Sequence, residues 1–335
     1  MLLSSLRGDE ARSGGRRLGS PWTGLGTVIA KETADHLGGI RMVVLESLVF
    51  LVALYVAWLS TRTIRETITE SPFLFLNLLT IAPDPIPVSF AFMIGLVIPV
   101  IAIALGFDAI NAEFNQRTLS RILAQPIYRD ALLLGKFLAR LLALTIALVS
   151  LWFLVLGLGF LRLGLPPSLD ELIRMLGFLL ATIAYGGVWL AVAMLFSVLF
   201  RAPATAALAT LGLWLLFTFF WALMVTPLLS TLISGPRETI FGPNLAYFQT
   251  EQIINWLSPN NLYSDITQAL LQPKTRALGI GSVIQLIQQR GAVGAPLPTS
   301  QSFILIWPQL TGLIAATIVI FVITYIAFQR QEIRA

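Results

Sequence analysis

Val88-Ser-Phe-Ala-Phe-Met-Ile-Gly-Leu-Val-Ile-Pro-Val-Ile-Ala-Ile-Ala-Leu-Gly-Phe107 is a run of twenty residues without a single charge. Wound as an α-helix it rises about 30 Å, the thickness of a bilayer's hydrocarbon core. Hydrocarbon offers no partner to a free backbone N–H or C=O, so a run of this kind crosses as a helix. Five further stretches share its character, which places spans at roughly 42–60, 88–107, 137–161, 172–199, 206–227 and 303–328. The loop Arg201-Ala-Pro-Ala204 separates the fourth from the fifth. A seventh apolar run, Phe73 to Ile81, is too short to cross and is expected in the interface or dipping into it. The fold class that follows is all-α, a polytopic membrane protein with about six transmembrane helices.

Composition agrees. Of the 335 residues 56% are hydrophobic and 12% are charged, against about 25% charged in soluble domains. Mean hydropathy is +0.83. The net charge of +5 comes from basic residues beside apolar runs, where they orient a membrane protein and touch anionic headgroups; nucleic acid is not the expected partner. With the N-terminus inside, the cytoplasmic segments hold 14 of the 22 Lys and Arg and the outer ones hold 8. Four of those eight lie in one long outer loop, which counts for little. Both termini are therefore expected on the cytoplasmic side of the membrane.

The remaining segments fall around the spans. Residues 1–23, rich in Gly, Ser and Arg, read as a disordered cytoplasmic tail. Residues 24–40 read as an amphipathic helix on the inner leaflet, with Val28, Ile29, Leu37 and Ile40 on its apolar side and Lys31, Glu32 and Asp35 opposite. The transmembrane domain proper is 41–335, with a cytoplasmic loop at 108–136 and an outer loop at 228–302. That outer loop contains two short amphipathic pieces, 245–257 and 262–271, broken at Ser258-Pro259, with Trp256, Phe248 and Tyr263 as interfacial aromatics.

Several chemistries are excluded. Cysteine is absent and His36 is the single histidine, so thiol chemistry and a metal centre are not expected. His36 reads as a headgroup-level histidine or as a sensor. The spans are almost bare of ionisable groups, which argues against an ion-coupled carrier. Glu46 and Arg140 both lie under about 10 Å from the cytoplasmic edge; they snorkel or pair with each other, the alternative being a coupling role. Gly135-Lys136 is not a phosphate loop, because Asp130 and Phe137 occupy its required Gly and Ser/Thr positions. Active transport would draw its energy from another subunit.

The segment between the second and third spans carries the function. From Glu113 to Arg129 it reads as a short helix with Leu119, Ile122 and Leu123 on one face, ended by Gln125-Pro126, with Asp130 as N-cap of the next helix. It suits a partner's groove, or is an ordinary solvated loop. Its pattern resembles the permease subunits of ABC transporters of the second, exporter-like type, including the multidrug, lipid and copper-enzyme-maturation permeases. Their motif runs acidic-x-x-x-Gly-Thr-Leu-x-x-Leu-Leu-Ala-x-Pro-(Ile/Val)-x-Arg, with Gly-Lys at the next span. Glu113, Thr118, Leu119, Ile122, Leu123, Ala124, Pro126, Ile127, Arg129, Gly135 and Lys136 match it, whereas Arg117 stands in the glycine position and alters the local turn.

The resemblance implies a permease half that pairs with a second permease copy or paralogue and with cytoplasmic ATPase subunits. It binds no cofactor itself; ATP and magnesium sit on the partner, and the chain is no enzyme. An ATPase-coupling helix maps to about 112–124, where Glu113 and Arg117 would touch the ATPase, with 201–205 as a second contact. Re-entrant outer helices map to about 244–271 around Trp256, Ser258 and Pro259. The rival readings are a membrane anchor that transmits force without transport, and an ATP-independent carrier. The apolar spans lean toward a lipid-like or amphipathic cargo.

Overall fold

The structure is a computed structural model that describes residues 24–67, 72–115, 129–239, 242–274 and 296–330. Apart from one two-residue antiparallel pairing, Glu238–Thr239 with Gly242–Pro243, the described residues form helices and their connections. Six helices are long and apolar enough to cross a membrane: Met42–Glu66, Phe90–Asn115, Asp130–Leu163, Leu169–Leu199, Pro203–Ser234 and Thr299–Arg330. All six expected spans are there. They run past the apolar stretches because charged and polar first and last turns remain helical.

In chain order the elements are α1 (Leu25–Leu37), α2 (Ile40–Thr67), α3 (Leu74–Thr80), α4 (Phe90–Gly106), the single turn α5 (Asn111–Asn115), α6 (Arg129–Leu163) and α7 (Leu169–Leu199). The fifth span is composite: α8 (Pro203–Leu215), a π-helical stretch Leu216–Val225, and α9 (Thr226–Ser234). Two short helices follow, α10 (Leu245–Trp256) and α11 (Pro259–Leu271), and α12 (Thr299–Arg330) ends the bundle. One end of the bundle carries α1, α5 and the start of α6. The other carries the end of α6 and the start of α7. They are called here the Lys136 end and the Arg174 end.

Helix α7 is the core. It packs on α4, α6, α8, α11 and α12, and most of its apolar side chains are buried. Its start is fixed by a capping box. Ser168 Oγ accepts from Glu171 N at 3.3 Å and Glu171 Oε2 accepts from Ser168 N at 2.9 Å. The other oxygen, Oε1, accepts from Phe75 N at 2.8 Å, so one carboxylate caps α7 and seats the first turn of α3. Helix α3 is the short seventh run. It packs against protein, with Phe75, Leu76, Leu78 and Leu79 buried.

Small residues set the helix spacing. A Cβ at Gly106 would come within 2.7 Å of Ala193 Cβ, and one at Gly186 within 2.6 Å of Leu144 Cδ2. Both fall below van der Waals contact, so α4 and α6 approach α7 through missing side chains. In α8, Ala206 and Thr210 face inward and are fully buried, while Ala202 precedes the helix and is exposed.

Arg174, in the second turn of α7, is fully buried. It donates to Asp170 Oδ2 (2.9 Å), Ser302 Oγ (3.0 Å) and the carbonyls of Leu270 (3.3 Å) and Leu297 (2.6 Å). It thereby joins the start of α7 to the end of α11 and the lead-in to α12. Helices α10 and α11, at 12 and 13 residues, rise only about 20 Å each and cannot cross. Their elbow lies deep in the bundle. Asn260 Nδ2 donates to Thr218 Oγ1 at 2.7 Å, and Tyr185 Oη donates to Asn260 Oδ1 at 2.9 Å. Thr218 and Tyr185 sit near the midpoints of their spans.

Gly186→Val should lower the detergent thermal-unfolding midpoint, equivalent to a loss of about 1–3 kcal/mol from overpacking. Gly212→Val, at a glycine with open space around it, should change it far less in the same melt.

Candidate functional site at the Lys136 end

Lys136 and Arg140 stand one turn apart on α6 and are 2% and 4% exposed. Buried cations persist only when paired and hydrogen-bonded, and three elements converge to do this. From α1, Glu32 Oε1 lies 3.0 Å from Lys136 Nζ and its Oε2 lies 3.4 Å from Arg140 Nη1. From α5, Glu113 Oε1 lies 2.6 Å from Lys136 Nζ. From α4, the carbonyl of Leu105 accepts from Arg140 Nε at 2.8 Å, which satisfies an orphan acceptor in that helix's last turn. Arg140 Nη1 also donates to Lys136 O at 3.1 Å.

Gly135 admits α1 to this cluster. A Cβ there would stand 2.7 Å from Val28 Cγ1, so only glycine lets α1 close on α6. The adjacent Gly135-Lys136 pair thus has two linked roles, approach and charge.

The helix α1 is therefore not a free amphipathic helix on a leaflet. It packs along α6, and Glu32, expected on the polar outward side, points into the cluster. Burial alone would raise the Glu32 pKa, but Lys136 and Arg140 outweigh it and hold the carboxyl below its ordinary value. His36 lies 4.0 Å from Glu32 Oε2. Burial, with Arg140 nearby, pushes its pKa from 6.5 down to about 4 against the pull of Glu32 and Asp108, so the ring is neutral at physiological pH.

The turn that delivers Glu113 is fastened separately. Ser197 Oγ, near the end of α7, accepts from Ile110 N (3.0 Å) and Asn111 N (3.3 Å). Asn111 Nδ2 donates to Phe107 O (3.2 Å) and Phe200 O (3.3 Å), and Asn115 Nδ2 donates to Arg201 O (2.9 Å). The Arg201 guanidinium carbon lies 6.0 Å from the Phe114 ring centroid. The extension of the second span is thus bolted to the 200–201 turn, the segment expected to form a second partner contact.

Of the residues singled out in the sequence, Glu113 is in this cluster. Arg117, Thr118, Leu119, Ile122, Leu123 and Pro126 lie outside the described residues, as does the Arg129 side chain; its backbone is helical. The Glu46–Arg140 pair is not formed. Among the described residues Arg140 pairs with Glu32, while Glu46 Oε1 is buried without a hydrogen bond. Asp130 does not cap α6 but sits inside its first turn, where Oδ1 accepts from Tyr325 Oη (3.1 Å) and Gln329 Nε2 (2.6 Å) of α12. Ser258 N-caps α11, with Pro259 as its first residue and Trp256 exposed at the end of α10. Glu32, Asn111 and Ser197 were missed. Only Glu32 left a signal, as a carboxylate beside Lys31 in the lead-in helix.

A second feature lies at mid-height. A cavity of about 300 Å³ opens beside the elbow, bounded by Gly95, Tyr185, Thr218, Asn260, Tyr263 and Thr267 among others, and among the described residues no charged one lines it. Tyr185 and Tyr263 stack there with centroids 4.4 Å apart.

Comparison with known proteins assigns the architecture. The sequence model of the ABC-2 family transporter proteins matches residues 26–333. The chain belongs to the ABC-2 transporter family. It is 26% identical over 310 residues to the probable ABC transporter permease protein NosY of Stutzerimonas stutzeri, covering 91% of this chain and 97% of that one. It is 29% identical over 209 residues to the probable NosY permease of Pseudomonas aeruginosa, covering 61% and 70%. This ABC-2 protein is a membrane permease subunit with six helices long and apolar enough to span a membrane, and a permease of that kind implies a separate ATPase partner.

Two outcomes follow for the cluster. Lys136→Met removes the charge shared by Glu32 and Glu113 and should cost about 3–5 kcal/mol, as for other broken buried pairs; pairing it with Glu32→Gln should recover part of the loss in the same thermal melt. His36 titrates at about 4 folded and 6.5 unfolded, so the unfolded chain binds more protons between these values. Its contribution is complete above pH 6.5 and is lost as pH falls toward 4. His36→Gln should flatten the pH dependence of stability in that window; an unchanged slope would show that His36 does not titrate there.

Proposed function

We propose that this ABC-2 permease is half of an ATP-driven exporter. It would pair with a second permease copy or paralogue and with cytoplasmic ATPase subunits that carry the ATP and magnesium. The observation that carries this reading is the clamped extension of the second span. Ser197, Asn111 and Asn115 fix α5 to the end of α7, and the motif beginning at Glu113 continues directly from it.

In this reading the Lys136 end is cytoplasmic, both termini are inside, and the protein sits in the bacterial inner membrane. The segment 112–124 is the coupling helix. Movement of the ATPases on closing would reach Glu113, then Lys136 and Glu32, and through Ser197 it would reach α7. Helices α10 and α11 would be re-entrant from the outer face, a reading supported by their length and by the deep Asn260–Thr218 contact. The uncharged polar cavity beside them favours cargo movement over a purely force-transmitting anchor. Alternating access would open that region to one side at a time.

The test is a mild-detergent pull-down of the tagged permease from its native membranes, assayed for co-purifying ATPase activity. The wild type should bring an ATPase down. Glu113→Gln with Leu119→Ala should reduce the recovered activity about tenfold or more, as interface hot spots do, while eluting as a folded protein. No ATPase under several detergents, or undiminished recovery with the double variant, would overturn the coupling assignment.

A further inference from the structure

The Arg174 end carries a charged recess that the transport reading leaves unused. Trp58, Thr61, Arg62 and Arg65 share one face of the last turns of α2, by their spacing of three, four and seven residues. The last turn of α6 brings Arg162 against that face, and with Glu66 these residues line a recess of about 160 Å³. The Arg162 guanidinium carbon lies 5.8 Å from the Trp58 ring centroid, and Arg65 Nη2 donates to the Arg162 carbonyl. Glu66 is already engaged, with its Oε1 3.0 Å from Arg62 Nε. Arg65 and Arg162 therefore share the recess with no carboxylate paired to either among the described residues.

Two like charges held together favour an anion between them, and guanidinium forks match phosphate oxygens in a bidentate way. The position says which phosphate. The recess lies at the ends of the spans Met42–Glu66 and Asp130–Leu163, which is headgroup depth. Below it, within the broad exposed apolar face of α2, Trp58, Tyr55, Leu51 and Leu48 follow one another at steps of three and four residues. Tyr55 and Trp58 are stacked at 6.4 Å between centroids, as in an interfacial aromatic belt. From Arg62 to Leu48 is about 20 Å along the helix, so cationic, aromatic and aliphatic surfaces follow in the order of a phospholipid's own parts.

We propose that this recess binds the phosphate of an anionic phospholipid, its acyl chains lying along the Leu48–Tyr55 stripe. A zwitterionic lipid fits less well, because its ammonium would meet the same two guanidiniums. Basic recesses between transmembrane helices hold anionic headgroups by this chemistry. The site stands independently of the direction of transport and of the ATPase partner.

The experiment uses the full-length chain, delipidated in neutral detergent and titrated with phosphatidylglycerol or phosphatidylcholine of identical acyl chains, with bound lipids counted by native mass spectrometry. The wild type should prefer phosphatidylglycerol. Arg65→Ala with Arg162→Ala should weaken that binding roughly tenfold, the scale of losing charge-assisted hydrogen bonds, while leaving phosphatidylcholine binding unchanged. Arg162→Gln alone should give an intermediate loss, and serves if the double variant does not fold. Retained preference in these variants would overturn the proposal. So would displacement of the lipid by millimolar inorganic phosphate, which would make this a free-anion site. Loss of an acidic extramembrane protein from the variants, with lipid binding intact, would reassign the recess to protein docking.

Discussion

The architecture at one end of this permease depends on the burial of Lys136. An ammonium so deeply enclosed must find carboxylates, and no acidic residue on α6 near it points inward to serve. The partners come from α1, which folds back along α6 to deliver Glu32, and from α5, which turns out of the second span to deliver Glu113. Arg140, one turn further along, shares Glu32 and holds the last turn of α4 through Leu105. Helix α1 and both parts of the second span are thus oriented on α6 by two cations, with Glu32 reaching Lys136 across 104 residues of sequence. Such a cluster is weak as a source of net stability, since both charges give up water. Its effect is positional: each element has one arrangement that leaves no charge stranded.

The glycines complete the same logic from the packing side. Gly135 lets α1 come close enough for Glu32 to reach, and Gly106 and Gly186 let α4 and α6 close on α7. At the opposite end Arg174 plays a comparable part with neutral acceptors, collecting two carbonyls and a hydroxyl around a single carboxylate. Each end of the bundle is tied by buried cations, whereas the middle is tied by aromatic stacking and uncharged hydrogen bonds. That distribution follows from the solvent: a charge near a helix end can be paired at modest cost, and one at mid-depth cannot.

Hydropathy made the spans legible, because the bilayer imposes a length and a composition that few other folds require. The same signal could not say what covers an apolar face. The Val28 side of α1 reads as lipid-facing by pattern, and only the shape at Gly135 shows that it meets protein. Depth counting placed Glu46 and Arg140 at one level, but it carries no information on azimuth, and Arg140 turned to α1 instead. Asp130 looked like an N-cap from its type and position; it is itself helical, with Arg129 helical before it, and α12 takes its carboxylate. Ser197 left no trace, since a serine in an apolar run has no pattern that separates a backbone-capping hydroxyl from an ordinary small residue.

Helix α7 links the three polar centres. Ser197 near one end holds the α5 turn, Tyr185 at mid-height holds the elbow and the cavity wall, and Arg174 near the other end holds the end of α11 and the lead-in to α12. Successive members are separated by about 16–18 Å of unbroken helix, and an α-helix resists compression and carries displacement along its axis. Energetic coupling between sites would need an element with two arrangements that both sites bias. The element beside the cavity with the least regular backbone is the π-helical stretch Leu216–Val225, which presents Thr218 to Asn260 and Trp221 to the carbonyl of Ile254. A π-turn holds a surplus residue relative to an α-turn, so its conversion would rotate those two side chains off the elbow without unwinding the span. The π-helical stretch, the two side chains it presents and the elbow thus lie together beside the cavity, away from the buried charges.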